Sequence, residues 1–208
     1  MALHEAFPTA GYLDRAEAIV ELALDRFVDD DDCLVEFFTD DWEPAPGEPG
    51  EIVEPGHHFE WVWLLDRFGS LAPGSAVADR LGNVAARLFK HADRNGVDRP
   101  AGITYDEIDR SGAPRKAGSK RLWPQTEALK AHLVIDRVDE SLAAADASTM
   151  ILEMMFEHYL KSNGTWQDQL DANNQGVGTS APASTMYHVV VALDEYLRRF
   201  EDPNYRLG

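Results

Sequence analysis

Helical periodicity dominates this 208-residue chain, and it limits the chain to an all-α fold. Apolar residues recur every three or four positions between Tyr12 and Val28 and again between Val77 and Phe89. No long segment alternates apolar with polar residues, and strands do not alternate with helices. The sequence therefore predicts antiparallel helical hairpins in a single domain of residues 1–208, whose apolar content of 44% allows a substantial core.

Turn residues divide this pattern into separate helices. After the helix that begins at Tyr12, prolines 44, 46 and 49 forbid regular structure, so a loop leads to Glu54. The expected helices that follow cover roughly residues 58–68, 75–95, 122–138, 147–160 and 184 onward.

Charge and cysteine content restrict the partners. There are 37 acidic and 19 basic residues, a formal net charge of -18, and this argues against nucleic acid or an anionic membrane surface. A neutral small molecule suits this balance better. The single cysteine, Cys33, permits no internal disulfide and is expected to be a buried thiol in a reducing cytoplasm. The first residues predict neither a signal peptide nor a membrane anchor.

The most buried of the predicted helices opens with two histidines. Pro55-Gly56 forms a turn, and His57, His58 and Glu60 precede a dense apolar run. Residues three apart share a helix face, so we expect His57 to meet Glu60 while His58 points elsewhere. The positive end of the helix dipole is expected to keep His57 neutral and able to accept a proton.

Every second helix of a hairpin array begins at the same end of the molecule. The helices that begin near residues 58, 123 and 184 all open with residues that a core does not require. These are His57, His58 and Glu60; Trp123, Gln125 and Glu127; Tyr187 and His188. The intervening helices open with ordinary residues. The sequence therefore predicts that these side chains converge on one functional site.

The residue types at this site favour acid–base chemistry on a sugar. Two imidazoles can act as base and acid on opposite sides of a substrate, and an indole can stack on the apolar face of a sugar ring. No activated serine or cysteine and no phosphate-binding glycine loop is visible. The adjacent histidines project to different faces, so we expect no metal and no other cofactor.

Four stretches of the sequence resemble the N-acylglucosamine 2-epimerase superfamily of sugar isomerases and epimerases. They are Glu54–Trp61 (EPGHHFEW), Arg121–Ala131 (RLWPQTEALKA), Gly164–Asp168 (GTWQD) and Pro182–His188 (PASTMYH). The resemblance implies an (α/α)6 barrel with alternating inner and outer helices. It also implies transfer of a proton between C1 and C2 of an open-chain sugar, or inversion at C2, through a cis-enediolate.

The resemblance also assigns roles to residues. It implies that His57 and His188 are the catalytic pair and that Glu60 supports His57. Trp123, Gln125 and Glu127 correspond to substrate-contacting positions, and we place His58, Tyr187 and Asp168 with them as further substrate-binding candidates. The Trp-Pro-Gln-Thr-Glu form, residues 123–127, is more similar to mannose isomerases and acylglucosamine epimerases than to cellobiose epimerases.

Members of the family are about twice as long as this chain. The resemblance covers their C-terminal half, so a further histidine and an arginine of the family site fall outside it. We expect a truncated isomerase with impaired activity, whose uncovered inner helices favour self-association, for example as a homodimer.

Three alternatives to a mannose-type isomerase remain open at this point. One is 2-epimerisation of an N-acylglucosamine. Another is a non-catalytic interaction module of the renin-binding type. A third is a glycan hydrolase or lyase, which requires opposed carboxylates, from Glu60 with Glu127 or Asp168.

Overall fold

The computed structural model describes residues 1–138 and 145–201, and within them the chain is mostly helical. The all-α prediction is therefore confirmed. Seven α-helices are present in these ranges: α1 (Ala2–Ala6), α2 (Tyr12–Leu22), α3 (Pro55–Leu71), α4 (Ala78–Asn95), α5 (Leu122–Val138), α6 (Ala145–His158) and α7 (Thr185–Glu201). A π-helical turn, Ala23–Phe27, extends α2.

Helix α3 begins three residues earlier than the sequence predicts. Pro55 occupies its first turn, where the missing N–H removes no hydrogen bond and the fixed φ already suits a helix. The helix buries Phe59, Val62, Leu65 and Phe68, all at most 1% exposed. Their spacing of three residues makes one continuous apolar face, which contacts both α4 and α5.

The packing order separates inner from outer helices. Helix α3 packs on α4 and α5, and α5 packs in turn on α6 and α7. Helices α3, α5 and α7 therefore lie side by side, with α4 and α6 outside them. Because alternate members of a hairpin array run in the same direction, the first residues of α3, α5 and α7 meet at one end.

Short antiparallel strands pair within the loops that connect the helices. The pairs are β1 (Ile52–Val53) with β4 (Ile108–Asp109), and β2 (Val97–Asp98) with β3 (Ile103–Thr104). A third sheet joins β5 (Lys120–Arg121), β6 (Gln169–Leu170) and β7 (Gly176–Val177). Strands β1 and β5 run directly into α3 and α5 and so fix where these helices begin.

Part of α7 presents apolar side chains to solvent. Met186, Val190 and Leu197 are each more than half exposed. An exposed apolar strip on an inner helix agrees with the expected uncovered face. Among the described residues, no helix combines the length and apolar character needed to cross a membrane.

Candidate active site

A cleft of about 370 Å³ lies where α3, α5 and α7 begin. Its wall combines two imidazoles, one indole, one phenol, three carboxylates and one guanidinium with small residues of the α7 approach. The lining residues are Glu54, His57, Glu60, Arg121, Trp123, Asp168, Pro182, Ser184, Thr185, Tyr187 and His188. The structure thus brings together most of the side chains that the sequence places at the starts of alternate helices.

His57 is held by a carboxylate that sequence reasoning missed. Its Nδ1 lies 2.9 Å from Glu36 Oε1 and 3.7 Å from Glu54 Oε2. Because a carboxylate oxygen only accepts, Nδ1 donates to Glu36 and Nε2 is left for a ligand. Burial alone would lower the pKa of His57, but the hydrogen bond to Glu36 and the charges of Glu36, Glu54 and Glu60 raise it. The shift in the pKa of His57 is therefore opposite in direction to the one expected from the helix dipole.

His188 is held in the same way from the opposite side of the cleft. Its Nδ1 donates to Glu127 Oε1 over 2.7 Å, and Glu127 is completely buried. Glu127 was predicted to contact substrate, and the structure places it behind His188 with no exposed surface. Both imidazoles therefore have Nδ1 bonded to a carboxylate and Nε2 available, which fixes the tautomer of each ring.

The indole of Trp123 lies close to both imidazoles. Its ring centroid lies 4.9 Å from that of His57 and 5.6 Å from that of His188. Tyr187 stacks on His188 at 3.8 Å and is more than half exposed, so it forms the outer wall of the cleft. Gly56 leaves room for the indole, since a Cβ at this position would lie 2.5 Å from Trp123 Cη2.

We predict that Gly56→Ala lowers the free energy of unfolding by about 1–3 kcal/mol, because the added methyl group would lie 2.5 Å from Trp123 Cη2 and 3.1 Å from Pro124 Cβ. Urea unfolding followed by circular dichroism measures this change. Gly82→Ala in α4 is the matched control, since a Cβ there meets nothing within 4 Å. That control should be neutral or more stable by up to about 1 kcal/mol, through helix propensity. Equal effects at the two glycines would contradict the close packing of Trp123.

Glu60 lies beside His188 rather than in hydrogen-bond contact with His57. One carboxylate oxygen of Glu60, one of Glu127 and one ring nitrogen of His188 all lie within 4.8 Å of one another. Burial raises the pKa of Glu60, and the charge of Glu127 raises it further. Its predicted support of His57 is thus confined to its charge. Asp168, a predicted substrate-binding residue, lies in the cleft wall and accepts a hydrogen bond of 2.8 Å from Thr185 Oγ1.

The structure places two predicted substrate-binding residues, His58 and Gln125, completely buried within the fold. His58 accepts a hydrogen bond from the Leu34 N–H at its Nε2, over 3.0 Å. Gln125 accepts from the Thr104 N–H and donates to the Thr104 carbonyl, each over 2.8 Å. The side-chain amide of Gln125 therefore completes the hydrogen bonding of strand β3. Neither residue reaches the cleft.

His58 nevertheless contributes to the site indirectly. Its bond to Leu34 holds the segment that carries Glu36, and the Glu36 N–H donates to the Ile52 carbonyl just before α3. This segment therefore runs along the start of α3 and brings Glu36 to His57. Burial and the neighbouring His91 lower the pKa of His58 to about 3, so the ring stays neutral.

Sequence reasoning also missed Glu54 and Arg121. Both belong to the stretches quoted for the family resemblance, but neither was assigned a role. Arg121 stacks over Trp123 at 5.6 Å and pairs with Asp106 at 3.1 Å and Glu54 at 3.6 Å. The position of Arg121 two residues before Trp123 was the available signal.

In the part of the chain that the structure describes, three groups of side chains place metal-ligand atoms within 4.8 Å of one another: Glu36, Glu54 and His57; Glu60, Glu127 and His188; Cys33, His58 and His91. In the first two, the carboxylate already accepts the imidazole proton, so these atoms pair with each other. In the third, His58 uses both ring nitrogens in hydrogen bonds. Burial also raises the pKa of the Cys33 thiol to about 12, and Cys33 is the buried thiol that was expected. The absence of a metal stays a prediction.

Inner helices whose first turns carry two carboxylate-anchored imidazoles define a helical-barrel protein with an acid–base cleft. The particular family follows from comparison with known proteins. The family model described as N-acylglucosamine 2-epimerase (GlcNAc 2-epimerase) matches residues 1–192. The chain belongs to this family, as the resemblance implied.

Individual relatives agree with this assignment. The chain is 38% identical over 205 residues to a mannose-6-phosphate isomerase of Rhizobium meliloti (strain 1021), and the match covers 92% of this chain and 49% of that protein. A D-mannose isomerase structure superposes with a TM-score of 0.78 at 23% identity, over 94% of this chain and 52% of the other. The cellobiose 2-epimerase of Bacillus thermoamylovorans B4167 gives 0.80 at 17% identity, over 95% and 50%.

The chain thus spans about half the length of the relatives that it matches. The two structural likenesses establish the fold, and the expected class, one half of an (α/α)6 barrel, is confirmed.

Proposed function

We propose that this chain carries the proton-transfer half of a sugar isomerase, which interconverts a mannose-type aldose and its ketose through a cis-enediolate. We also propose that residues 1–208 form one domain, equivalent to half of the barrel. The observation that carries the proposal is the pair of imidazoles in one cleft, each anchored through Nδ1 by a carboxylate and each close to Trp123.

The geometry suits a reaction that moves protons between two adjacent carbons. One imidazole Nε2 removes the proton from C2 of the open-chain sugar and returns it to C1, while the other exchanges protons with O1 and O2. Each base must be neutral when it accepts and charged afterwards. A carboxylate behind each ring stabilises the charged form and keeps the ring oriented.

The lining of the cleft favours a neutral sugar over a sugar phosphate. Glu54, Glu60 and Asp168 line it together with the single guanidinium of Arg121. Arg121 is already paired with Asp106 and Glu54. A phosphate dianion would meet more negative than positive charge there. The Rhizobium relative is named for a phosphorylated mannose. For this chain we therefore propose a mannose-type sugar without the phosphate.

Glu60 and Glu127 are not placed as the opposed pair of carboxylates that glycan hydrolysis requires. Glu127 is buried behind His188, and both carboxyl groups lie on the same side of the cleft with that ring. A hydrolase needs two carboxyl groups that flank a glycosidic bond from opposite sides. Glu60 and Glu127 therefore do not supply such a pair, and hydrolysis would require Glu60 with Asp168, which both line the cleft.

Hydrogen exchange at C2 tests the proposal. D-Mannose or D-fructose is incubated with the protein in heavy water, and NMR follows deuterium at C2 of mannose, deuterium at C1 of fructose and the products formed. One arm uses this chain alone. A second arm uses a fusion with the half of the Rhizobium relative that this chain does not match. We expect deuterated mannose and fructose in the fusion arm.

A further arm with an N-acylglucosamine as substrate distinguishes the alternative function, 2-epimerisation of that sugar, from isomerisation of mannose. Deuterium at C2 together with an epimeric product from this substrate alone would favour 2-epimerase activity. A folded fusion that exchanges no deuterium into any of these sugars would overturn the proposal.

A further inference from the structure

Behind His188 lie two buried, oppositely charged side chains, Glu127 and then Lys130. Glu127 Oε1 accepts the Nδ1 proton of His188, and the other carboxylate oxygen of Glu127 lies 2.6 Å from Lys130 Nζ. The side chains of Glu127 and Lys130 are 0% and 3% exposed. Lys130 thus lies behind the cleft and is absent from its lining.

A carboxylate in the position of Glu127 needs a positive partner. It has no exposed surface, and Glu60 brings a second carboxyl group within 4.8 Å of the same imidazole. Two carboxyl groups that share a buried site do not both stay ionised unless a cation offsets their repulsion. Lys130, one helical turn along α5, supplies that cation.

The position of Lys130 is itself fixed. Its ammonium lies 4.1 Å from the ring centroid of Trp63 on α3, a cation–π contact that holds the chain end in place. Helices α3 and α5 thereby clamp the ammonium beneath Glu127. The charged groups that face Glu127 within the described residues are Lys130 on α5, Glu60 on α3 and His188 on α7.

We propose that Lys130 is a positioning residue: by pairing with Glu127 it keeps that side chain an acceptor, so that His188 carries its proton on Nδ1 and offers the Nε2 lone pair to the cleft. Without the ammonium, a proton on Glu127 would be donated to Nδ1, and the ring would have to carry its own proton on Nε2. The neutral imidazole would then present a donor where a base is required, the same tautomer fault that disables other carboxylate–histidine pairs.

The first test does not depend on activity. Long-range proton–nitrogen NMR correlations identify which nitrogen of His188 carries the proton. We expect Nδ1–H in the native chain and in Lys130→Arg, and a shift toward Nε2–H in Lys130→Met. Lys120→Met is the matched control, since Lys120 is also completely buried and pairs with Asp98 at 2.7 Å. We expect no change at His188 in that control.

A second test uses C2 exchange and rests on the proposed function. Lys130→Met should lower kcat at least about tenfold with little change in KM, and Lys130→Arg should restore most of it. If Lys130→Met does not fold, Lys130→Gln, which can donate a hydrogen bond but carries no charge, replaces it in both tests. An unchanged Nδ1–H signal in the folded uncharged variant would overturn the role of Lys130. A chain without exchange activity that shows the expected tautomer change would overturn only the proposed function.

Discussion

Replacing His188 by Gln is expected to lower the rate of C2 exchange at least about a hundredfold, the usual contribution of a positioned acid–base group. Glutamine keeps hydrogen-bonding capacity but cannot accept and release a proton near neutral pH. The fold should persist, because the side chain of His188 is 12% exposed at the edge of the cleft and its loss leaves no large cavity. Exchange in heavy water measures the rate, and circular dichroism measures folding.

His57→Gln should give a loss of similar size, since in the proposed mechanism each imidazole handles a different proton of the same reaction. The double variant should be little slower than either single variant, because residues that act as a unit are not additive. His158→Gln, at the end of α6, is the control and should exchange at the native rate. Native exchange in His188→Gln would contradict a two-histidine mechanism.

Acidification is expected to destabilise the protein through His58. Its pKa falls from 6.5 to about 3 in the folded chain, so the folded state binds the proton more weakly than the unfolded state. The stability contributed by neutral His58 is therefore complete above the unfolded pKa and is lost as pH falls toward the folded one. Between about pH 7 and about pH 4 this amounts to about 3 kcal/mol.

Urea unfolding of the native chain and of His58→Gln across this pH range isolates the effect. Glutamine does not titrate, and its carbonyl oxygen can accept from the Leu34 N–H in place of the ring. The native chain should lose about 3 kcal/mol more than the variant on acidification. His91, whose pKa burial also lowers, remains in both proteins and cancels in the comparison. Parallel losses in the two proteins would show that protonation of His58 is not linked to unfolding.

The sequence predicted the helices well and the site in part, for physical reasons that particular residues show. Apolar spacing marks α3 because Phe59, Val62 and Leu65 must all face the core. His57 and His188 follow from helix direction alone, since alternate helices begin at one end. The orientation of Gln125 does not follow, because it depends on strand β3, which is only two residues long.

The carboxylates behind the histidines were harder to predict. Glu36 lies in an irregular segment, so no periodicity marks it. The hydrogen bond from the Leu34 N–H to His58 attaches this segment to α3. Helix spacing suggested Glu60 as the partner of His57, but Glu60 faces His188 from the neighbouring helix. The direction of the pKa shift of His57 was missed for the same reason, since it depends on carboxylates that tertiary structure brings in.

The acidic lining of the cleft has a consequence for inhibitor chemistry. Glu54, Glu60 and Asp168 line the cleft to which we assign the proposed sugar substrate, and Glu36 is bonded to His57. An amino alditol or an imino sugar carries a protonated amine that such a lining attracts, whereas an aldonate or another acidic analogue is repelled. Cationic mimics of the open-chain sugar are therefore the scaffolds from which to develop tight ligands for this cleft.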